Sequence, residues 1–546
     1  MDISGIAIED RNLVRVMETV LRERPSQTAI RDPDRALSYE GLWDEGLRIA
    51  GGLTGLGVGR QQPLVLMLDN HIDNVALWMA IGLSARIEVS VNTAYRGQML
   101  AYIIADSHAE VAVVEGRYLA RLIEIAEEIP SLHTVVVRQR AEAEGDSIER
   151  AARLWTLHDF AELAAANAAS PEPVAPWELF SFSYTSGTTG RSKGVLCPHA
   201  HAFGQATSDG LGTTLAGETR FVVLPQFHAA GRWGGVYNAL IHRGTAYVAH
   251  GFSASRYWEQ AKEAGARTSQ LVGTMAEFLQ LQPERAADRD HDLREICILP
   301  LPRAFAAWRE RFGVKLLTAY GSTESGAIIA NTDARSNTVG RPRDGYDIRI
   351  FDENDIELPP GEVGEAVVRP SHPWTTSIGY LGRDEETAAL WRNGWLHTGD
   401  ALYRDEDGNF FFVDRLDDAI RRRGENISSV EVELHVCTHP MVAECAAVAV
   451  PSEFAEDEIK IAVTVKPGHS LSERALVDYL AGIMPRFMVP RFVQFVDELP
   501  KTATSKIRKT EIRKAGVAGC WDAMTEDYAA AAATDTPAAQ HGKEPA

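Results

Sequence analysis

The chain has 546 residues, of which 45% are hydrophobic and 24% charged, and its formal net charge is −21. This length exceeds a single hydrophobic core, so we expect two or more domains. The acidic balance argues against nucleic-acid binding, and an anionic ligand would need local basic groups. The five cysteines show no metal-ligand spacing. They are scattered and odd in number, so a reducing cytoplasm is expected. The sequence shows no signal peptide and no apolar run of membrane length.

The first part of the chain alternates between helical and strand patterns. Apolar residues at helical spacing predict a helix over residues 12–23. The patterns that follow predict strand 63–68, helix 72–83, strand 87–91, helix 97–107 and strand 111–114. This alternation is typical of α/β proteins with parallel sheets covered by helices. Residues 140–176 are predicted to be surface helix and connection without chemistry.

A loop rich in glycine and hydroxyl groups follows a strand predicted over residues 179–184. Residues 185–195 read Thr-Ser-Gly-Thr-Thr-Gly-Arg-Ser-Lys-Gly-Val. Glycine lets backbone approach a ligand closely, and backbone N–H groups beside an ammonium suit a phosphate. The spacing is not that of a Walker A loop, because only two residues separate Gly187 from Gly190 and Ser192 precedes Lys193. Phosphate binding is favoured over a flexible surface loop.

Polar residues also follow later strand patterns. The run 221–228 ends in Pro-Gln-Phe-His, and the run 316–324 ends in Tyr-Gly-Ser-Thr-Glu. The carboxylate of Glu324 is a usual type of Mg²⁺ ligand, and Asp400 could accept hydrogen bonds from vicinal hydroxyls. Strands over 444–450, 459–465 and 492–496 and a helix over 472–484 then precede a lysine-bearing loop at 499–507.

Taken in this order, the motifs resemble those of the adenylate-forming superfamily, and in particular the acyl-CoA synthetases, over about residues 10–515. The resemblance implies an α/β fold with a large N-terminal domain of stacked sheets and flanking helices, residues 1–416. It also implies a small, mobile α+β C-terminal domain, residues 417–520, before an Ala- and Pro-rich tail at 521–546 that is expected to be disordered. ATP or an acyl-AMP, Mg²⁺ and CoA are the implied ligands.

The resemblance also implies a role for each matched residue. The nucleotide would contact Thr185, Ser186, Gly187, Thr188, Thr189, Tyr320, Gly321, Ser322, Asp400 and Arg415. The catalytic group would comprise Lys193, His228, Thr323, Glu324 and Lys506, with Glu324 holding the metal. CoA would approach Arg422, Arg423 and Gly424, Asp417 would be the hinge, and Ala230, Gly231 and Trp233 would shape the acyl pocket.

The chain departs from the family pattern at a few positions. Leu299 and Pro300 stand where a glycine-bearing turn is usual, Ser192 replaces a proline, and Ser505 replaces a glycine. The first hypothesis is an ATP-dependent acyl-CoA ligase. The departures leave open an enzyme that only converts a preformed acyl-adenylate to acyl-CoA. An adenylation enzyme that loads a carrier protein and a non-catalytic acyl- or nucleotide-binding protein are further alternatives.

The acid itself is predicted only from side-chain volume. The small residues Ala229, Ala230, Gly231, Gly234 and Gly235 suggest room for a bulky apolar acid, either aryl or polycyclic. The expected partners are a small carboxylate, ATP and CoA, without nucleic acid or a membrane span. The assembly state stays open, and a homodimer is one of the options.

Overall fold

The computed structural model describes residues 6–185, 192–302, 304–334, 338–415, 419–422, 425–452, 456–500, 507 and 509–524. These residues form two compact units, the first ending at residue 415 and the second beginning at residue 419. The described part of the larger unit contains three β-sheets, and that of the smaller unit contains two. Both units mix helices with strands, which confirms the predicted α/β fold class.

The helices and strands of the larger unit are numbered in chain order. The helices are α1 Leu13–Glu23, α2 Tyr39–Gly55, α3 Ile72–Leu83, α4 Gly97–Asp106, α5 Leu119–Glu124, α6 Ser147–Leu154, α7 Phe160–Ala164, α8 His199–Ala206, α9 Ala229–Gly231, α10 Asn238–Ile241, α11 Tyr257–Glu263, α12 Gly273–Gln280, α13 Phe305–Phe312 and α14 Asp384–Leu390. The strands are β1 Thr28–Arg31, β2 Ala36–Ser38, β3 Pro63–Met67, β4 Ile87–Ser90, β5 Val111–Glu115, β6 Thr134–Arg138, β7 Thr156–Asp159, β8 Leu179–Thr185, β9 Lys193–Pro198, β10 Thr219–Val222, β11 Thr245–Val248, β12 Ala266–Val272, β13 Glu295–Leu299, β14 Lys315–Ser322, β15 Gly326–Asn331, β16 Arg341–Pro342, β17 Tyr346–Phe351, β18 Gly364–Pro370, β19 Leu396–Arg404 and β20 Phe410–Arg415.

The first large sheet has the strand order β7-β6-β5-β3-β4-β8-β9. Its pairs are parallel except for β8 and β9. The central strands β3 and β5 are continuous apolar runs because both of their faces are covered. Helix α3 is apolar on all sides and every residue except Asp73 is buried.

The second large sheet has the order β16-β15-β14-β13-β12-β10-β11-β1-β2. Strands β11, β10, β12, β13 and β14 pair in parallel, so their carboxyl ends lie along one edge. Ligands of open α/β sheets usually bind outside this edge. The chain leaves β10 toward His228, and β14 ends in the Tyr-Gly-Ser-Thr-Glu motif.

The third sheet of the larger unit is antiparallel, with the order β17-β18-β19-β20. It positions Asp400 in the middle of β19. The smaller unit contains the strands β21 Ala419–Arg422, β22 Glu425–Ser428, β23 Val442–Pro451, β24 Asp457–Val465, β25 Phe492–Phe495 and β26 Trp521–Asp522 and the helices α15 Ser429–Val436, α16 Glu473–Ile483 and α17 Lys509–Lys514. Its main sheet has the order β23-β24-β25-β26, with only β24 and β25 parallel among these described strands.

The predicted helices and strands agree with the structure apart from short shifts at their ends. Helix α1 begins after Asn12, whose side chain accepts a hydrogen bond from the backbone N–H of Arg15 at 3.0 Å. The prediction for residues 140–176 missed β7, which pairs with β6 at the edge of its sheet. Its four side chains are exposed or half-buried, so it lacks the continuous apolar run of a buried strand. In the described residues, no helix is both long enough and apolar enough to cross a membrane.

Candidate active site

The turn between β14 and β15 holds the Tyr-Gly-Ser-Thr-Glu motif. The Ser322 hydroxyl accepts hydrogen bonds from the backbone N–H groups of Glu324 and Ser325, both at 3.2 Å. The Ser325 hydroxyl oxygen in turn accepts from the Ser322 N–H at 3.0 Å. Glycine is required at 321, because a Cβ there would lie 1.8 Å from the carbonyl oxygen of Gly326. These contacts fix the backbone on both sides of Thr323 and Glu324.

A buried histidine supports this turn from α8. The His201 ring nitrogens lie 2.9 Å from the carbonyl oxygen of Thr323 and 3.1 Å from that of Thr375. Burial lowers the pKa of His201, so the ring is neutral and donates to one of the two carbonyls at a time. His201 was not predicted from the sequence, because a histidine within an apolar helix carries no motif.

Tyr380 brings two predicted catalytic residues together. Its hydroxyl donates to Glu324 Oε1 at 3.0 Å, and Lys193 Nζ lies 4.8 Å from the centre of its ring. Backbone contacts fix this arrangement, because the Leu381 N–H donates to the Gly194 carbonyl at 2.8 Å. Burial, with the nearby Glu324 charge, raises the pKa of Tyr380, so the phenol keeps its proton and acts as a donor. Tyr380 belongs to none of the predicted motifs and was missed.

The ends of the glycine-rich loop are held by an arrangement that the sequence did not indicate. Tyr184 donates to Asp106 Oδ2 at 2.7 Å, and Tyr102 donates to the Ser192 carbonyl at 2.9 Å. Arg383 Nη2 donates to the Tyr102 hydroxyl at 2.7 Å. These bonds attach the end of β8 and the start of β9 to α4, where they can support an anion-binding loop.

Thr185 and Lys193 are cross-strand partners, so the two ends of the loop are adjacent. The predicted phosphate contacts Ser186, Gly187, Thr188 and Thr189 lie outside the described residues. Ser192, the departure from the usual proline, is buried.

The third sheet brings Asp400 to the same turn. The Tyr320 hydroxyl donates to Asp400 Oδ2 at 2.8 Å, and both residues are buried. The Asp400 N–H donates to the Thr398 hydroxyl at 3.2 Å. Arg415 is the cross-strand partner of Asp400. An aromatic ring beside an acceptor carboxylate has the chemistry needed for a base and ribose hydroxyls.

His228 lies at a narrow cleft at the end of β10. The cleft is lined by Glu88, Ser90, Ser181, Phe182, Ser183, Gln226, Phe227, His228, Ala229, Arg232 and Trp233. Its volume of about 10 Å³ leaves room for about one water molecule. Most of these side chains are polar, and Arg232 forms a buried ion pair with Glu88 at 3.1 Å.

The small residues near His228 differ in role from the sequence expectation. A Cβ at position 231 would lie 2.2 Å from the Pro225 carbonyl oxygen, and one at position 235 would lie 2.8 Å from Val222. Gly231 and Gly235 therefore allow close packing on β10 and do not enlarge a cavity. Of the three predicted acyl-pocket residues, Trp233 lines the described cleft, whereas Ala230 and Gly231 do not.

The remaining predicted residues belong to the smaller unit or its boundary. Lys506, Asp417, Arg423 and Gly424 lie outside the described residues. Arg422 is 5% exposed, forms an ion pair with Glu458 at 2.6 Å and donates to the Val489 carbonyl at 2.7 Å. The guanidinium is thus engaged within its own unit, and the CoA contact of Arg422 stays a prediction.

The side chains present at the motif turn fit Mg²⁺. The single cluster of three or more possible ligand groups in the described residues is Asp32, Asp34 and His250, in which the last two are exposed. The motif turn instead offers one carboxylate, that of Glu324. Mg²⁺ usually binds one or two carboxylates and completes its coordination with water and substrate phosphates. Glu324 would therefore hold the ion that accompanies a nucleoside triphosphate.

Comparison with known proteins found two matching family models. The AMP-binding enzyme family matches residues 17–381, and the AMP-binding enzyme C-terminal domain matches residues 431–506. The crotonobetaine/carnitine–CoA ligase of Salmonella typhi is 30% identical over 489 residues, which cover 88% of this chain and 93% of that protein.

Two solved structures have a similar fold. An anthranilate CoA ligase in complex with anthranoyl-AMP has a TM-score of 0.69 and 26% identity, covering 94% of this chain and 99% of its own. The o-succinylbenzoate CoA synthetase of Bacillus subtilis has a TM-score of 0.78 over 91% of this chain and 97% of its own. At 22% identity, the second match concerns the fold alone.

The chain therefore belongs to the AMP-binding enzyme family, the adenylate-forming acyl-CoA synthetases that its motifs predicted. It is an enzyme of the carboxylate–CoA ligase type, and this prediction is confirmed.

Proposed function

We propose that the protein joins a carboxylic acid to CoA in two steps, through an acyl-adenylate. The observation that carries the proposal is the convergence of five side chains at one turn. Tyr320 binds Asp400, and Tyr380 links Glu324 to Lys193. One cation, two carboxylates and two tyrosine rings offer the groups needed to hold a nucleotide and its phosphates.

In the first step, a carboxylate oxygen of the acid bonds to the α-phosphorus of ATP, and the bond to the β-phosphate oxygen breaks. Pyrophosphate leaves with the electron pair. Lys193 and Lys506 supply positive charge to the phosphoryl oxygens, Thr323 donates a hydrogen bond, and Asp400 holds the ribose. Mg²⁺ held by Glu324 would offset phosphate charge.

In the second step, the CoA sulfur loses its proton and bonds to the acyl carbon, and AMP leaves. Activation as an adenylate divides one difficult substitution into two easier ones. The proposal includes a rotation of residues 417–520 about Asp417 between the two steps, with Arg423 and Gly424 approaching CoA. It also includes a cytoplasmic location, which suits the five free cysteines.

The environments of two departures from the family pattern support a complete ligase. Leu299 packs beside a small apolar cluster that includes Leu317 and Ala319. Ser192 is accommodated at the base of the loop, where Tyr102 binds its carbonyl. These substitutions are absorbed by neighbouring packing, which favours an intact adenylation step over transfer from a preformed adenylate alone. Ser505 lies outside the described residues.

The experiment that tests the proposal measures both half-reactions separately. ATP–pyrophosphate exchange is followed with a panel of carboxylic acids, and thioester formation is followed from synthetic acyl-adenylates and CoA. We expect exchange with at least one acid and thioester formation from its adenylate. Thioester formation without any exchange would instead favour the transfer-only enzyme, and exchange without transfer to CoA would favour a carrier-protein acceptor.

A further inference from the structure

The cleft beside His228 is lined by polar side chains, whereas a site for an apolar acid should have an apolar lining. Its lining includes Glu88, Ser90, Ser181, Ser183 and Gln226. Glu88, Ser181 and Gln226 are each less than 4% exposed. Burying polar groups costs free energy unless they are partnered, so their concentration at one cleft calls for a ligand or for internal pairing.

Some of these polar side chains are paired with other groups of the protein. Arg232 Nη2 lies 3.1 Å from Glu88 Oε1 and donates to Asn74 Oδ1 at 2.8 Å. The Ser90 hydroxyl also donates to Glu88. Arg232 begins the π-helix Arg232–Tyr237, a rare geometry that is frequent at functional sites. The ion pair leaves the cleft polar but without a net charge.

Three buried polar atoms of the cleft lining have no hydrogen-bond partner in the described residues: Gln226 Oε1, the Trp233 indole N–H and Arg232 Nε. Gln226 is fully buried, and its Oε1 has no hydrogen-bond donor among the described residues. The amide orientation is set on its other side, where Nε2 donates to the Gly231 carbonyl at 3.3 Å. Within the same described set, the indole N–H of buried Trp233 also lacks an acceptor. A group that both donates and accepts, such as a hydroxyl, can satisfy the first two of these atoms.

The cleft is connected to the nucleotide end of the site. The Trp233 ring lies 5.8 Å from His201, whose Nε2 contacts the Thr323 carbonyl. Ser183 lies on β8 two residues before Thr185, which is the last described residue before the phosphate loop. A ligand in the cleft would therefore be one layer of side chains from the motif turn.

We propose that this cleft recognises the acyl group, and that the preferred substrate is a small carboxylic acid carrying a hydroxyl or amino group. Gln226 Oε1 accepts a hydrogen bond from that group. The inference rests on the proposed acyl-adenylate chemistry and replaces the expectation of a bulky apolar acid. A space for about one water molecule suits that hydroxyl and is too small for an aromatic ring or for the carbon chain, which would lie outside it.

The test compares acids of equal size that differ by one hydrogen-bonding group. Three pairs are 2-hydroxybutanoate with 2-methylbutanoate, 3-hydroxybutanoate with 3-methylbutanoate, and 4-hydroxybutanoate with pentanoate, and benzoate is the bulky control. In pyrophosphate exchange, we expect at least one hydroxy acid to exceed its methyl partner roughly tenfold or more in kcat/KM, because the apolar partner leaves Gln226 unpaired. Equal rates within every pair, or a preference for benzoate, would overturn the proposal.

A variant pair assigns the preference to the cleft. Gln226→Leu should reduce the hydroxyl preference to within about threefold, because the buried acceptor is removed. Gln280→Leu is the matched control, since Gln280 also has an unpaired side-chain oxygen in the described structure but lies outside the cleft. If Gln226→Leu keeps the acid preference and changes only the KM for CoA, the cleft serves the thiol and the proposal is wrong.

A binding measurement distinguishes a failure of this proposal from a failure of the proposed function. Stable sulfamoyl analogues of the preferred hydroxyacyl-adenylate and its methyl counterpart are titrated by calorimetry into the wild-type protein, a measurement that needs no turnover. Tighter binding of the hydroxyacyl analogues by roughly tenfold is expected even in the absence of exchange. Equal binding, or no binding of either series, contradicts the assignment of the cleft.

Discussion

The turn that carries Glu324 and the cleft that carries Gln226 differ in how their polar atoms are partnered. At the turn, each carboxylate accepts from a tyrosine: Glu324 from Tyr380 and Asp400 from Tyr320. In the cleft, Gln226 Oε1 is buried and has no donor within the described structure. The turn is thus preorganised by the protein, whereas the cleft offers a hydrogen bond that a ligand can complete.

This difference fits the ligand proposed for each region. The proposed nucleotide contacts at the turn lie in a short contiguous segment that is fixed by backbone hydrogen bonds, such as those between Ser322 and Ser325. The acid varies between relatives, and the cleft draws its side chains from separate strands and loops. Glu88 belongs to β4, Ser181 to β8 and Gln226 to the segment after β10. Changes at the turn should therefore affect chemistry, and changes in the cleft should affect acid choice.

The largest expected effect comes from Glu324→Gln. Removing the charge of Glu324 weakens the hold on the metal and phosphates, so pyrophosphate exchange should fall about 100-fold or more. Thioester formation from a synthetic adenylate should stay within about tenfold, and the ratio of rates for a hydroxy acid and its methyl partner should not change. An altered acid ratio would mean that the two regions are not separable as described.

A smaller effect is expected from Tyr380→Phe. Glu324 loses the hydroxyl that fixes its Oε1, so kcat for exchange should fall roughly tenfold, in line with the loss of one hydrogen bond to a charged group. Tyr237→Phe is the matched control, because in the described structure the buried Tyr237 hydroxyl has no partner. That control should keep full activity, and unchanged exchange in both variants would remove Tyr380 from the site.

The sequence predicted the fold class and the motif turn because both depend on local patterns. Strand β3 is a continuous apolar run, and the Tyr-Gly-Ser-Thr-Glu turn is contiguous in the chain. The partner tyrosine of Glu324 is 56 residues away, at position 380. No local pattern marks such a contact, so Tyr380 and His201 became visible only in the folded chain.

The space at the proposed acyl site could not be predicted from residue size. Gly231 and Gly235 suggested space for a ligand. In the fold, however, the Pro225 carbonyl and the Val222 side chain lie where Cβ atoms at these positions would point. A small residue marks either a cavity or a close approach, and only the three-dimensional neighbours distinguish them. The polar lining was missed because its residues are dispersed from Glu88 to Trp233 along the chain.

The smallest effect on activity is expected at His199, which lies on the same helix as His201 but belongs to neither region. Its ring stacks on Phe180 at 4.1 Å, and burial, with a lesser contribution from Arg60, lowers its pKa to about 3. The unfolded chain takes up this proton near pH 6.5 and the folded chain does not. The contribution of His199 to the unfolding free energy is therefore fully present above about pH 6.5, and it declines as the pH falls toward 3.

Replacing His199 by Phe should remove that decline, which amounts to about 2 kcal/mol of unfolding free energy between pH 7 and pH 5. The hydroxy-acid preference and the exchange rates should stay as in the wild type. Thermal unfolding midpoints at both pH values measure it, with His372→Phe as control because the His372 side chain is exposed. The wild-type midpoint should drop more on acidification than that of the His199 variant, and the His372 variant should follow the wild type. Identical pH dependence in all three proteins would show that His199 titrates alike in the folded and unfolded chain, whereas a changed acid preference would show that α8 connects the two regions energetically through His201.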